Sequence, residues 1–136
     1  MRRVLSKYSF FIIISVKITL VNNKVGLNMI YNKTSLADMH THSEHSHDCS
    51  GKMERMCLSQ IEKGVSFFAV TDHIDIYSHK DYDIFTPIVK AREEVLLLNE
   101  KYGDKITVLS GMEIGEGFYY PDVAKKAEML CPHDVL

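Results

Sequence analysis

The sequence predicts an α/β fold on a parallel sheet, and three observations predict it. From residue 35 onward, short apolar runs alternate with amphipathic stretches of helical period. Glycine or proline punctuates the joins, and each of the first three apolar runs ends in a residue able to bind a metal. Strand–helix–strand repetition at this spacing gives parallel neighbours, in an open sheet or in a barrel.

The elements follow in order. Leu36 to His40 reads as a strand running into a polar loop over 41–51. Lys52 to Lys63 is helical, because Met53, Met56, Cys57 and Ile61 fall on one face. Gly64 ends that helix. Phe67 to Thr71 is a nearly continuous apolar run, as expected of a strand covered on both faces, and it leads into Asp72-His73. A polar loop is expected from Ile74 to Phe85, after which Thr86 supplies an N-cap and Pro87 a first-turn proline. The next helix carries Ile88, Ala91, Val95, Leu98 and Tyr102 on one stripe, and Gly103 stops it. Ile106 to Leu109 begins a third strand, which delivers Gly111-Met112-Glu113. A short helix from about Pro121 to Leu130 follows, and Asp134-Val135-Leu136 reads as the start of a fourth strand.

Composition narrows the function classes. A chain of 136 residues suits one domain, and 46% apolar with 25% charged residues is a globular profile. With 16 basic and 18 acidic residues the net charge is −2, which disfavours a nucleic-acid backbone as main partner. The expected partner is a small molecule, with neither nucleic acid nor membrane, and the sequence leaves oligomeric state open. Cys49, Cys57 and Cys131 are odd in number and lack CxxC spacing, so reduced thiols in a cytoplasmic protein are expected. Cys57 falls on the core face of its helix and reads as a small buried hydrophobe.

Residues 1–34 are expected to form an N-terminal extension that need not belong to the fold, with the domain spanning 35–136. Arg2, Arg3 and Lys7 precede a short apolar run from Phe10 to Val16 that Lys17 interrupts. The run is too short to span a bilayer and no small-residue cleavage site follows. An extra β-hairpin, a weak membrane anchor, and residues upstream of a true start at Met29 are the three readings, the last slightly favoured.

Four of the seven histidines fall between positions 40 and 47. Along a strand, side chains at i, i+2 and i+4 point to one side. Asp38-x-His40-x-His42 therefore aims a carboxylate and two imidazoles into one pocket. Neutral imidazole suits zinc, iron or manganese, and nearby carboxylates neutralise the cation. Asp38, deeper in the strand, is better placed to orient an imidazole than to touch metal. A histidine-rich surface turn is the competing explanation of this motif alone. Two more strands argue against it, because Thr71-Asp72-His73-x-Asp75 ends one and Gly111-Met112-Glu113 the next. Ends of successive parallel strands converge on one face, where active sites are built.

The chain from about Leu36 to Leu136 resembles the PHP (polymerase and histidinol phosphatase) domain. The resemblance rests on Asp38-Met39-His40-Thr41-His42 with Ser46 and Asp48, on Thr71-Asp72-His73-Ile74-Asp75, and on Gly111-Met112-Glu113-Ile114-Gly115-Glu116. The last stretch, with Pro121-Asp122-Val123, looks more like the histidinol-phosphatase branch than the polymerase-associated one. The resemblance implies a distorted (β/α)7 barrel with two or three divalent metal ions (zinc, iron or manganese) at the C-terminal ends of the strands. It implies that His40 and His42 bind one metal and that Glu113 bridges two. Asp48 and His73 would then bind another. His40, His42, His73 and Glu113 are the expected catalytic residues, with Asp38 and Asp72 supporting them from behind. His45 and His47 match no ligand position and are expected to be solvated loop side chains, though either could touch substrate. His79 and His133 are weaker candidates still. The implied reaction is hydrolysis of L-histidinol phosphate to L-histidinol and phosphate, a late step of histidine biosynthesis. No Ser-His or Cys-His nucleophile pair is evident, and clustered metals need none.

Members of the family continue to a Gly-Ser-x-His segment and a later Asp-x-His pair, and neither occurs in this sequence. A full (β/α) barrel needs about 250 residues. A fragment is therefore expected, whether from a frameshifted gene or as half of a split protein. Alone it is expected to fold poorly and to be weakly active or inactive, because an unpaired strand edge stays exposed. Two other functions compete with the histidinol phosphatase: a PHP phosphoesterase acting on nucleotides or polymer ends, and an inactive metal-binding remnant.

Overall fold

The computed structural model describes residues 11–19, 30–77 and 82–136, with side chains from residue 35 onward. The basic stretch at residues 1–7, Met29 and His79 lie outside the described residues. Seven elements run in the order β1 (Phe11–Thr19), β2 (Ile30–Asp38), α1 (Met53–Glu62), β3 (Val65–Asp75), α2 (Phe85–Tyr102), β4 (Thr107–Gly115) and α3 (Pro121–Leu130). They form one sheet in the order β1-β2-β3-β4. The strands β2, β3 and β4 are parallel, each joined to the next by a helix, which is the α/β arrangement expected. On the outer edge β1 pairs antiparallel with β2, from Phe11 opposite Asp38 to Thr19 opposite Ile30.

The helices sit where hydrophobic spacing places them, and their ends show what fixes them. At the start of α1 no side chain of Lys52 caps the helix. The Glu44 carboxylate, from the preceding loop, accepts the Met53 N–H at 2.7 Å and pairs with Lys52 Nζ at 3.2 Å. Gly64 closes α1 with φ of 74°, a conformation that costs glycine little. The expected N-cap of α2 at Thr86 is one correction: the helix already begins at Phe85. Asp83 performs the capping, its Oδ1 accepting the N–H groups of Phe85 and Thr86, both at 3.0 Å. A carboxylate there also suits the positive end of the helix dipole. A second correction concerns Ile74 and Asp75, for which a loop is expected. They extend β3, because β4 continues to pair with it as far as Asp75 opposite Gly115.

Two apolar clusters hold the helices to the sheet. In the first, Met53 and Cys57 of α1 and Ala91, Val95 and Leu98 of α2 pack on Val65, Phe68 and Val70 of β3. The second joins Ile74, Ile88, Met112, Ala127 and Cys131, so α3 closes the sheet beside the strand ends. All three cysteines are free thiols. After α3, Val135 makes a parallel bridge to Gly111, and the Asp134 N–H donates to Ser110 O at 2.6 Å. That is the beginning of the fourth strand expected at Asp134.

Phe68 is completely buried at the centre of the first cluster. Phe68→Ala is expected to cost about 3–5 kcal/mol through lost transfer energy and the cavity left behind. That is a large part of the stability of any small domain. Urea unfolding followed by circular dichroism checks it: a loss below about 1 kcal/mol would mean that Phe68 does not anchor this core.

Candidate metal centre at the strand ends

The site begins with a register. In the parallel pair of β3 and β4, His73 stands directly opposite Glu113. Neighbours at one level on adjacent strands share a face, and His73 Nδ1 lies 3.3 Å from Glu113 Oε2. The third contribution comes from the chain just beyond β2. The strand itself ends at Asp38, not at His40, but Thr41 keeps the chain attached to β3. Its carbonyl accepts the Thr71 N–H at 2.7 Å, and its hydroxyl donates to Ala69 O, also at 2.7 Å. With Thr41 fixed, His40 and His42 both reach Glu113, and their ring centroids are 5.1 Å apart.

Glu113 is the hub. Its Oε1 lies 3.0 Å from His40 Nδ1, and its Oε2 lies 3.4 Å from His42 Nε2 as well as 3.3 Å from His73. On the far side of His42, Asp48 approaches Nδ1 at 2.9 and 3.1 Å with its two oxygens, and it lies 3.8 Å from His73 Nε2. Burial works against the charge on Asp48, but it is outweighed by the Ser46 hydroxyl at 2.6 Å and by the two imidazoles. The Asp48 carboxyl is thereby held down at about 2 and is ionised at neutral pH.

These side chains form two overlapping triads, His40/His42/Glu113 and His42/Asp48/His73, with potential ligand atoms in each within 4.8 Å of one another. Three imidazoles and two carboxylates are a donor set suited to divalent first-row metals. One atom points to a cation more directly. His42 Nε2 is buried and has no hydrogen-bond partner, the 3.4 Å approach to Glu113 being a contact without hydrogen-bond geometry. Buried polar atoms are almost always satisfied, and a cation between His42 and Glu113 would satisfy this one. The residues therefore fit a metal.

The two supporting aspartates are both buried beneath the site. Asp72 is buried and points away from its neighbour His73, as alternation along a strand requires. Its oxygens accept the Ser43 N–H at 2.5 Å and the Ser43 hydroxyl at 2.7 Å, so β3 grips the loop that carries His42 and Asp48. Asp38 is fully buried and hydrogen-bonds to no imidazole; one oxygen accepts the side-chain amide of Gln60 at 2.7 Å, and the other has no hydrogen-bond partner among the described residues. Burial pushes both carboxyls up, partly offset by these hydrogen bonds.

The two loop histidines are held differently from the solvated side chains expected. His45 Nε2 pairs with Glu94 of α2 at 2.9 Å and is largely covered, while His47 stays exposed but pairs with Asp75 at 3.2 Å. Glu94 is the residue that sequence reasoning missed. It lies 49 positions from His45, on a helix whose apolar stripe says nothing about the opposite face. Glu44, His45 and Glu94 also cluster. The Glu44 carboxylate is already engaged by Met53 and Lys52, which makes that group a structural clasp. His133 contacts only the Cys131 carbonyl, at 3.4 Å, among the interactions described.

A parallel α/β sheet with imidazoles and carboxylates gathered at its strand ends defines a metal-binding protein of the kind that builds its centre on barrel-type strand ends. The model of the PHP domain matches residues 38–131, and the chain belongs to the PHP domain family. Among solved structures it is similar to a histidinol phosphate phosphatase from Lactococcus lactis subsp. lactis, crystallised with zinc, L-histidinol and phosphate. The identity is 25% and the TM-score 0.62, over 73% of this chain and 38% of that one. The chain thus spans well under half the length of that enzyme. A comparison with curated proteins gave no match. The fold corresponds to the N-terminal part of a PHP barrel. No described helix is long and apolar enough to cross a membrane.

Proposed function

We propose that the chain is the N-terminal part of a cytoplasmic, metal-dependent phosphomonoesterase whose substrate is L-histidinol phosphate, in histidine biosynthesis. The observation that carries the reading is the convergence of His40, His42 and His73 on Glu113. The unit would begin near residue 35, with 1–34 as an extension carrying the edge strand.

In this reading His40 and His42 would hold one divalent cation and Asp48 and His73 a second, with Glu113 also a ligand. Bound there, zinc, iron or manganese supplies Lewis-acid polarisation of the phosphoryl group and lowers the pKa of a bound water. The chain's own residues do the rest. Asp48, ionised at neutral pH, adds negative charge that balances the cations. Asp72 fixes the backbone of the His40–Asp48 segment through Ser43, so little reorganisation is needed on binding. The family supports phosphoesterase chemistry, and the zinc-, histidinol- and phosphate-bound neighbour supports the substrate.

The test is a substrate panel on a zinc- or manganese-loaded version of the chain completed at its C-terminus. L-Histidinol phosphate is expected to be hydrolysed with kcat/KM at least tenfold above nucleoside monophosphates. Preference for a nucleotide would transfer the assignment to a nucleotide phosphoesterase. Stoichiometric metal binding with no turnover of any ester would identify the chain as a metal-binding remnant.

A further inference from the structure

Ser46 lies in the loop after β2 and is almost completely buried, with 4% of its surface exposed. Its hydroxyl meets two groups, both from the His42/Asp48/His73 triad. The His73 N–H donates to Ser46 Oγ at 3.3 Å, and Ser46 Oγ lies 2.6 Å from Asp48 Oδ1. A backbone N–H only donates, and a hydroxyl has a single proton to give. With a lone pair taken by His73, the Ser46 proton goes to Asp48. The direction of the chain is fixed, from β3 through the serine to the carboxylate.

This decides how Asp48 is presented. Oδ1 receives the Ser46 proton, which turns Oδ2 toward the rings. Oδ2 is the oxygen nearer His42 Nδ1, at 2.9 Å against 3.1 Å, and it lies 3.8 Å from His73 Nε2. A carboxylate oxygen has two acceptor sites, so Oδ2 can hold His42 and still offer one to a cation shared with His73. Ser46 is itself fixed, because its N–H donates to Ser43 O at 3.0 Å and its carbonyl accepts the Cys49 N–H at 3.3 Å. Two consecutive residues of β3 therefore hold the loop. Asp72 does so by its side chain through Ser43, and His73 by its backbone through Ser46.

We propose that Ser46 is a positioning residue of the metal centre, which locks Asp48 to His73 and so prepares one of the two triads for its cation. Among the described residues, no hydrogen bond joins Ser46 to His40 or Glu113. This role rests on the metal-centre reading and deepens it, since one buried hydroxyl serves one triad and not the other. Partners that orient metal ligands contribute about 10–100-fold to metal affinity.

The experiment is a calorimetric cobalt(II) titration of the full chain, with the visible absorption of bound cobalt recorded, on the wild type, Ser46→Ala and Ser46→Thr. His40→Ala cuts only the other triad and so identifies which binding step belongs to Asp48 and His73. Ser46→Ala is expected to weaken that step at least tenfold and to change its cobalt spectrum, with the other step altered less than threefold. Ser46→Thr keeps the hydroxyl and is expected to retain the wild-type spectrum and an affinity within threefold. Metal-free melting of each variant separates lost positioning from lost folding. Unchanged cobalt binding in Ser46→Ala would overturn the proposal. So would an equal loss at both steps, or a threonine variant that melts like the wild type yet binds as weakly as Ser46→Ala. A wild type that binds no cobalt would overturn the metal-centre reading and this role with it, a result distinct from any of those.

Discussion

Glu113→Ala is expected to lower the chain's affinity for zinc or manganese at least 100-fold while leaving the metal-free fold almost unchanged. The two halves of that expectation come from one geometry. A single carboxylate stands within 3.0 to 3.4 Å of nitrogen atoms from three imidazoles. Its loss removes an anionic donor from the middle of the donor set and leaves Asp48 as the remaining carboxylate among the three imidazoles. Altering residues that merely support metal ligands already costs 10–100-fold in affinity, so a central donor should cost more. Stability is another matter. Glu113 is about one-third exposed and its contacts with His40, His42 and His73 are solvent-screened. Pairs of that kind are worth about 1 kcal/mol or less. Thermal melts separate the two effects. Metal at 1,000 times its dissociation constant stabilises a binding-competent fold by about 4 kcal/mol, whereas a variant bound 100-fold more weakly gains only about 1.4 kcal/mol at the same metal concentration, so zinc should raise the melting temperature of the wild type much more than that of Glu113→Ala. An equal zinc-induced rise in both proteins would remove Glu113 from the centre.

How much of this site can be read from sequence depends on the range of the interaction concerned. His40, His42, His73 and Glu113 are legible because each follows an apolar run of strand character, and strand ends of parallel sheets collect on one face. The helices are legible because Met53 and Cys57, or Ile88, Ala91, Val95 and Leu98, repeat at helical spacing and are buried as that spacing requires. What sequence does not disclose is register. Nothing local to either strand says that His73 stands opposite Glu113 rather than one residue away. A slip of one would turn the carboxylate to the other face. Side-chain pairs between distant elements are hidden for the same reason, as with His45 and Glu94 or Asp72 and Ser43. The expected N-cap at Thr86 shows a subtler limit. Thr86-Pro87 is a good helix start on propensity alone, but Asp83 three residues earlier is charged and reaches the same N–H groups. The edge strand β1 is visible in the sequence only as an apolar run that three explanations fit, because its pairing with β2 is not written in the run itself.

Asp72→Ala should have the largest effect on the fold and on the site together. The side chain is buried, with 2% of its surface exposed, and both its oxygens are spent on Ser43, which is itself completely buried. Truncation leaves the Ser43 N–H and hydroxyl without their acceptors. Each buried orphan costs about 1–3 kcal/mol, so a loss of about 3 kcal/mol is expected, moderated by any water that enters. The same cut releases the loop at the residue after His42, and with it Asp48 and the Ser46 hydroxyl that orders it. Metal affinity should therefore fall about 10–100-fold, although Asp72 lies on the opposite face of β3 from the donor atoms. Asp72→Asn isolates the second effect. It keeps the shape and one acceptor oxygen, so most of the stability should survive while the loop loses one of its two anchors. Unfolding curves and zinc titrations on the pair of variants decide the matter. Were Asp72→Asn to bind zinc as tightly as the wild type, and Asp72→Ala to lose stability alone, Asp72 would be a core residue with no bearing on the metal centre. A fall in affinity in both variants, larger than their loss of stability explains, would show that β3 holds His73 on one face and positions His42 and Asp48 from the other.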